Sequence, residues 1–494
     1  MVKVPDFVAY DSKIVMDYIQ EFANLTEIPH PSGHMARMTA YLLDWAAARG
    51  VRCEAEPCGN VVMDVPASAG LEGAPLVAFQ GHIDMVPATD EGVAHDWAND
   101  PLDLLWTPNS VKANGTTLGA DNGSGVAFML AYIAHADEYV HGPLRFLFTV
   151  DEEVGLLGAA ALDAKHVAGV RYLINVDGGG DGAVVSCAGG KYFTFSRAAK
   201  WEALPADTVI RALSISGLTG GHSANVGGGK ANALVAAANA LLALNQAGIG
   251  FQLAGFEGGD APNVIPNACR AVVALRAQDA ALADARMAGF AKLFRESYEA
   301  VEQRYSLEFA EADAPGGRAL DAEISLQLAR LMSAVPDGIH TLRPNGQGTE
   351  SSSNLGVIRF DEDAVGFTCF MRSSSNYQAE QITWINAALA ELTGFALEIP
   401  VSLSAWPLKA GDRLGEIAAQ LYREQTGGEY RLTAIHAGVE CGELAGKNPE
   451  MSIISTGISG GSGEHTPAEA MNFDQVEQGV RFLTALAQRL AEMG

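Results

Sequence analysis

The sequence has few basic residues, no paired cysteines and no long apolar run. Its 494 residues contain 32 Lys and Arg against 59 Asp and Glu, and the net charge of −27 argues against nucleic acid and anionic membranes as partners. The six cysteines are scattered without a CxxC or Cys-His spacing, which argues against a disulfide framework and a structural zinc site. No apolar run approaches the ~20 residues of a membrane span, and the first residues lack a signal-peptide pattern. We therefore expect a cytoplasmic globular protein.

The pattern of apolar segments divides the chain into three parts. Residues 1–188 alternate short apolar strands with helices, which predicts an α/β domain with a mostly parallel sheet flanked by helices. Residues 189–400 mix strands with long amphipathic helices, which predicts a separate α+β domain, and residues 401–494 return to the first pattern. We therefore expect the middle domain to be inserted into the first. The helix that follows Asp121 and Asn122 is predicted to be capped by one of these two side chains.

Residue types that bind metals follow several of the predicted strands. They are His82 and Asp84 after LVAFQ, Glu152 and Glu153 after FLFTV, Asp177 after YLINV and His465 beyond SIIST, with Asp121 in the loop before a helix. Ligand sites in such sheets lie beyond the carboxyl ends of the strands, so we expect these residues to converge at one edge. Burying several carboxylates together requires compensating cations. Two histidines and three carboxylates suit two divalent cations about 3.5–4 Å apart, joined by one carboxylate.

A series of motifs occurs along the chain in a recognisable order: GHIDMVP, LGADNGSGVA, DEEVGLLGA, NVDGG, GHSA, NVIPNA, HAGVECGEL and EHTPAEA. They resemble those of the co-catalytic zinc exopeptidases, which include glutamate carboxypeptidase, aminoacylase and peptidase T. The resemblance extends over nearly the whole chain, and HAGVECGEL and GTESSSNLG favour the aminoacyl-histidine dipeptidase branch, also called Xaa-His or carnosinase-like. It implies a metal-dependent dipeptidase for unblocked dipeptides, with Xaa-His substrates of the carnosine type expected.

The resemblance also implies an architecture. A zinc-exopeptidase-like catalytic domain would consist of residues 1–188 and 401–494, with an inserted α+β lid and dimerisation domain at 189–400. A small peptide substrate and a homodimer formed through the lid domain are the expected partners.

The metal ligands follow from the same resemblance. Five residues would hold the cations: His82 and Asp177 on one, Glu153 and His465 on the other, with Asp121 between them. Zinc is expected at both positions, and cobalt or manganese also suits such an oxygen-rich site. Asp84 would orient the imidazole of His82, and Glu152 would act as the general base that takes a proton from water and passes it to the leaving amine.

The resemblance assigns further residues to the substrate. His222 in GLTGGHSA resembles a lid histidine that stabilises the tetrahedral oxyanion, either within its own chain or from a partner subunit. Asn263 and Arg372 resemble substrate-binding positions, and Arg372 would bind the C-terminal carboxylate through its guanidinium fork. Glu440 belongs with His436 to the HAGVECGE motif and is expected to contact the free amino group.

Other functions are compatible with parts of the sequence. An N-acyl-amino-acid amidohydrolase or a tripeptidase could use the same metal ligands. The segment GISGG at 457–461 satisfies the G-x-S-x-G pattern, so a serine hydrolase using Ser459 is a further alternative, although the helix expected after such a turn does not follow. A non-catalytic binding protein would be expected to lack a ligand or the base, and none of these residues is missing.

Overall fold

The chain folds into two compact units. The computed structural model describes residues 3–225, 228–343, 346, 348–458 and 461–493. The first unit comprises Met1–Cys187, Leu408–Ile435 and Val439–Gly494. The second unit comprises Ala188–Pro407 and the short segment His436–Gly438. The second unit therefore consists of one long insertion into the first unit and one short segment that comes later in the chain.

The described residues form the following regular elements. The helices are α1 (Lys13–Thr26), α2 (Ala36–Arg49), α3 (Ala120–Ala134), α4 (Leu157–Ala161), α5 (Ala233–Gln246), α6 (Ala280–Tyr298), α7 (Ala322–Ala334), α8 (Asn376–Thr393), α9 (Leu414–Thr426), α10 (Glu440–Lys447) and α11 (Val476–Glu492). The strands are β1 (Arg52–Ala55), β2 (Val61–Val65), β3 (Leu76–His82), β4 (Leu104–Thr107), β5 (Ser110–Ala113), β6 (Leu144–Thr149), β7 (Val170–Asn175), β8 (Gly182–Ser186), β9 (Gly189–Ala198), β10 (Trp201–Ala203), β11 (Thr208–Ser216), β12 (Gly221–His222), β13 (Phe251–Gly258), β14 (Val264–Ile265), β15 (Cys269–Arg276), β16 (Ser306–Glu311), β17 (Arg318–Leu320), β18 (Gly338–Leu342), β19 (Thr349–Phe360), β20 (Ala364–Ser373), β21 (Ala396–Glu398), β22 (Ser402–Leu403), β23 (Arg431–Ala434), β24 (Ser452–Ser455), β25 (Gly461–Ser462) and β26 (Ala470–Asn472).

The first unit is built on a mixed sheet with the strand order β1-β2-β6-β3-β7-β24-β8-β23. Its central strands β6, β3, β7 and β24 run parallel, whereas β1 and β2 at one side and the contact between β24 and β8 are antiparallel. The apolar runs of β3 and β6 are buried almost throughout, as expected for strands covered by helices on both faces. The predicted α/β class is confirmed, and the carboxyl ends of the four central strands lie at one edge.

Helix α3 begins differently from the prediction. Its N-cap residue is Gly119, whose φ of +69° is left-handed, and the cap has no side-chain hydrogen bond. The carboxylate of Glu469 instead accepts hydrogen bonds from the backbone N–H groups of Leu118, Gly119 and Asp121. Asp121 and Asn122 have non-helical backbone angles, so the regular part of the helix begins only after them. The prediction that one of these two side chains caps the helix was wrong, because the oxygens of Asp121 face two histidines and the buried amide of Asn122 has no hydrogen-bond partner among the described residues.

The second unit contains antiparallel sheets and helices. One sheet has the order β13-β15-β11-β16, and another has the order β18-β19-β20-β9-β21 with β22 also paired to β9. Helix α5 packs on α6 and α7. Most of its residues are buried, and many of these are alanines. The strands and long helices expected in this region are therefore present. Across the described part of the chain, no helix is both long enough and apolar enough to cross a bilayer.

Candidate metal centre and catalytic site

The ends of β3 and β7 bring one group of possible metal ligands together. His82 is the last residue of β3 and is 1% exposed. Its Nε2 lies 3.0 Å from Oδ1 of Asp121 and 3.5 Å from Oδ1 of Asp177. One ring nitrogen therefore faces two carboxylate oxygens, and a divalent cation between the three atoms would satisfy all of them.

A second group of ligands lies on the other side of Asp121. The Nε2 of His465 is 3.2 Å from Oδ2 of Asp121 and 2.9 Å from Oε1 of Glu153. The Glu153 oxygen is buried, and no hydrogen bond of good alignment reaches it from the described residues. Because the two oxygens of Asp121 face different histidines, the donor set fits two divalent cations with Asp121 between them.

Asp84 connects the first group of ligands to the acidic pair. Its Oδ1 lies 3.4 Å from Nδ1 of His82, which is also 3.0 Å from the Asp84 carbonyl oxygen. The same carboxylate accepts hydrogen bonds from the backbone N–H groups of Glu152 at 2.9 Å and Glu153 at 3.3 Å, and from Oγ of Ser32 at 2.8 Å. Asp84 therefore holds both the imidazole ring and the turn that carries the two glutamates.

Glu152 differs from its neighbour in electrostatic surroundings. It lies with His82 and Glu153 in a third group of clustered ligand atoms. Burial, together with the negative charges of Asp177 and Glu440, raises the pKa of Glu152 to about 9 against the opposing charge of His82. Cations bound beside this carboxyl group would oppose that shift and favour the carboxylate, which is the form that can accept a proton from water.

Glu440 is a buried carboxylate in the first unit. It is 1% exposed, and its Oε2 accepts a 2.5 Å hydrogen bond from Nε2 of Gln80. Gln80 in turn accepts a hydrogen bond from Asn175 at 2.8 Å. Burial raises the pKa of Glu440 to about 7. The contacts of Gln80 and Asn175 could not be predicted from the sequence, because both residues lie within apolar strands. The contact of Glu440 with a substrate amino group stays a prediction.

A cavity of about 530 Å³ adjoins Asp121 and Asp177 in the first unit. Its walls include the glycines 178–180 and the side chains of Glu464 and Gln475. Among the described residues that line it, none is basic. The side chains of the lining by themselves therefore favour positive charge over an anion.

The substrate-binding candidates His222, Asn263 and Arg372 belong to the second unit. His222 in β12 is exposed, and its Nδ1 accepts a 3.2 Å hydrogen bond from the N–H of Ala224. The carbonyl oxygen of Asn263 accepts a 2.9 Å hydrogen bond from the N–H of Ser223. Because β12 pairs with β14, the structure brings His222 and Asn263 close together.

Arg372 carries a buried positive charge. It is 7% exposed, its Nε has no hydrogen-bond partner, and no ion pair reaches it within the described ranges of the chain. Its register partner Ser352 on β19 has its Oγ 2.7 Å from Nε2 of His436. Burial lowers the pKa of Arg372 to about 10, and burial with the charge of Arg372 lowers the pKa of His436 to about 4. The guanidinium lies 4.4 Å from the centre of the Phe370 ring but has no counter-ion among the described residues, and a buried charge in that state favours an incoming anion.

Cation binding at this centre is expected to release protons and to tighten as the pH rises. The hydrogen bond to Asp121 and the charge of Glu153 raise the pKa of His465 to about 9, and burial raises the pKa of Glu153 to about 7. Both groups must lose their protons to bind a cation, so apparent affinity should increase from below pH 7 up to about pH 9. Calorimetric titration of the chelated protein in buffers of different ionisation enthalpy measures the protons released, and a pH-independent affinity would contradict this expectation.

The serine-hydrolase alternative depends on Ser459, which lies outside the residues that the structure describes.

The chain is similar to known proteins in both its sequence and its structure. Residues 78–489 match the family model of peptidase family M20/M25/M40. The chain is 31% identical over 471 residues to the cytosol non-specific dipeptidase of Escherichia coli (strain K12), which covers 95% of this chain and 96% of that protein. The structure of the aminoacylhistidine dipeptidase from Vibrio alginolyticus has a TM-score of 0.87 at 30% identity, covering 97% of this chain and 98% of that chain. Human carnosine dipeptidase 1, at 14% identity and a TM-score of 0.51, shares the fold.

Proposed function

The chain belongs to peptidase family M20/M25/M40 and is a metal-dependent dipeptidase, and we propose that it cleaves unblocked dipeptides at a two-cation centre with Glu152 as the general base. The proposed ligands are His82, Asp121, Glu153, Asp177 and His465. The observation that carries the proposal is the position of Asp121, whose two oxygens face two different histidines. Zinc is the proposed metal, and cobalt and manganese suit the same donors.

The reaction requires a proton carrier that is not itself a ligand. These residues would hold divalent cations, whose positive charge would polarise the scissile carbonyl group and lower the pKa of a water molecule. Glu152, held through its backbone N–H by Asp84, accepts a proton from that water and then donates it to the leaving amine. His222 is proposed to stabilise the oxyanion, a role that rests on the motif resemblance.

The C-terminal residue of the substrate is assigned to the second unit. We propose that Arg372 binds the C-terminal carboxylate, because its guanidinium is buried without a counter-ion, and that Asn263 also contacts the substrate. The Ser352–His436 pair lies beside Arg372, and we propose that it favours a C-terminal histidine. The relative from Vibrio alginolyticus is named for histidine dipeptides and that from Escherichia coli for broad specificity, so a substrate panel is needed to choose.

The N-terminal residue is proposed to enter the cavity beside Asp121 and Asp177. The proposed cations compensate the charges of Asp121 and Asp177, but Asp181 and Glu464 remain as acidic residues of the lining and none of the described lining residues is basic, so a free ammonium group is favoured there over a neutral acyl group. This preference supports a dipeptidase over the amidohydrolase alternative.

A substrate panel tests the proposed function directly. The protein is reloaded with metal and assayed on β-Ala-His, Gly-His, Ala-Ala, an N-acetylated amino acid and a tripeptide, with a chelated sample as the control. We expect chelator-sensitive cleavage of the unblocked dipeptides and faster cleavage of the two histidine substrates. Cleavage of the acetylated compound alone would replace the proposal by an amidohydrolase.

Substitution of Arg372 is expected to remove recognition of the free carboxylate. Arg372→Ala should raise KM for Gly-His by roughly 100-fold, because two charge-assisted hydrogen bonds are lost. The same variant should no longer distinguish Gly-His from its C-terminal amide. Arg359→Ala, on the exposed part of β19, is the matched control and should retain the preference. Equal loss on the acid and the amide would remove Arg372 from carboxylate binding.

The proposal also covers location and assembly. A cytoplasmic location is proposed because the relative from Escherichia coli is named a cytosol dipeptidase. A homodimer through the second unit is proposed from the family resemblance. Light scattering after size exclusion tests it, since a dimer has twice the chain mass of 51.8 kDa.

A further inference from the structure

One buried carboxylate outside the proposed ligand set is directed at the backbone of the shared ligand. Glu469 is 2% exposed. Its Oε2 accepts hydrogen bonds from the N–H groups of Leu118 at 2.7 Å and Gly119 at 2.9 Å, and its Oε1 accepts one from Asp121 at 3.1 Å. Both oxygens of this side chain therefore accept hydrogen bonds from the backbone of residues 118–121.

The same turn of the chain also supplies a ligand. Residues 463–469 are closed by hydrogen bonds from the N–H of Thr466 to the Gly463 carbonyl oxygen and from the N–H of Glu469 to the Thr466 carbonyl oxygen. His465 lies within this turn, and its Nε2 faces Oδ2 of Asp121. One short segment therefore places His465 beside the carboxylate of Asp121 and the carboxylate of Glu469 beside the backbone of Asp121.

From these contacts we propose that Glu469 is a positioning residue, which sets the place of Asp121 relative to His465 and thereby determines how tightly the cation pair is bound. The inference rests on the proposed two-cation centre. Glu469 acts through the backbone of Asp121, and its own oxygens are taken up by N–H groups rather than directed at a cation.

A carboxylate is required at this position by the number of donors. A carboxylate offers about four acceptor sites and no donor, so three N–H groups can share its two oxygens. An amide of the same shape has one oxygen, and its NH2 group would face at least one of the N–H donors. Glu469→Gln should therefore shift the backbone of residues 118–121 without altering the volume of the side chain.

The test measures metal binding rather than turnover. The full-length protein is stripped with a chelator and titrated with Mn²⁺, and bound and free ion are followed by electron paramagnetic resonance. Wild type is expected to bind two ions that give the signal of a coupled pair. Glu469→Gln is expected to bind them about 10- to 100-fold more weakly, as is typical when a residue that orients a ligand is changed, and to lose the coupled signal. High Mn²⁺ concentration should restore part of the turnover.

Controls separate this inference from the proposed function and from misfolding. Glu477→Gln makes the same chemical change on the exposed first turn of α11 and should bind Mn²⁺ like wild type. Circular dichroism of the stripped proteins checks the fold, and if Glu469→Gln does not fold, Glu469→Asp keeps the charge while shortening its reach. Wild-type affinity and an unchanged coupled signal in the folded variant would overturn the inference alone. Failure of wild type to bind two ions would instead overturn the proposed centre.

Discussion

Glu152→Gln is expected to lower kcat for Gly-His by about 10³-fold while two metal ions stay bound. The change removes a group that can take a proton from water but preserves the size of the side chain and the backbone hydrogen bond to Asp84. Glu152→Ala should lose a similar amount of activity. The measurements are steady-state kinetics on the reloaded protein and metal content per chain by elemental analysis.

The adjacent residue provides the matched comparison for this prediction. Glu153→Gln makes the same change one position along the chain, at a side chain whose Oε1 lies 2.9 Å from Nε2 of His465. We expect this variant to lose activity because it binds the metal more weakly, and to regain part of that activity when metal is in excess. If Glu152→Gln keeps near-normal kcat, or if it behaves like Glu153→Gln, Glu152 is not the general base.

Asp121→Asn is expected to abolish paired metal binding and to lower activity by at least about 10³-fold, the equivalent of several kcal/mol of transition-state stabilisation. Both oxygens of Asp121 lie within 3.2 Å of a histidine nitrogen, so an amide replaces one oxygen of the proposed bridge by a donor and removes its charge. Elemental analysis should find fewer than two ions per chain, and added metal should not restore full activity.

Asp137→Asn is the control for this second prediction. Asp137 lies on the surface just beyond α3, so the same chemical change occurs there far from any proposed ligand in sequence and with the side chain in solvent. It should keep two ions and normal turnover. An Asp121→Asn protein that binds two ions and remains active would contradict the assignment of Asp121 as the shared ligand.

The strand pattern explains why much of the candidate centre was predictable. His82, Glu153 and Asp177 each follow an apolar segment that reads as a buried strand. Once those strands are parallel, their carboxyl ends must meet at one edge, and the structure shows β6, β3 and β7 in that arrangement. The clustering of these ligand types therefore follows from local sequence pattern and one general rule of sheet architecture.

Other parts of the site have no local signal. Gln80 lies inside an apolar strand, and its hydrogen bond to Glu440 joins residues 360 positions apart. His436 is embedded in a segment that otherwise reads as part of the first unit, yet it belongs to the second unit and contacts Ser352. A side chain's partner across such distances depends on how strands are ordered, which no window of the sequence contains.

Helix α3 shows the same division most clearly. The run of apolar residues after Asn122 was enough to predict a buried helix from the sequence alone, because a helix that is apolar on all sides is stable only when it is buried. The sequence likewise determined the α/β class, the candidate ligand types at the strand ends and the acidic character of the chain. Only the tertiary structure decided that Glu469 would accept hydrogen bonds from the backbone just before the regular part of that helix, at Leu118, Gly119 and Asp121, and that neither Asp121 nor Asn122 would cap it. The physical reason is that a backbone donor binds whichever acceptor the fold brings within reach, and here that acceptor lies at the far end of the chain.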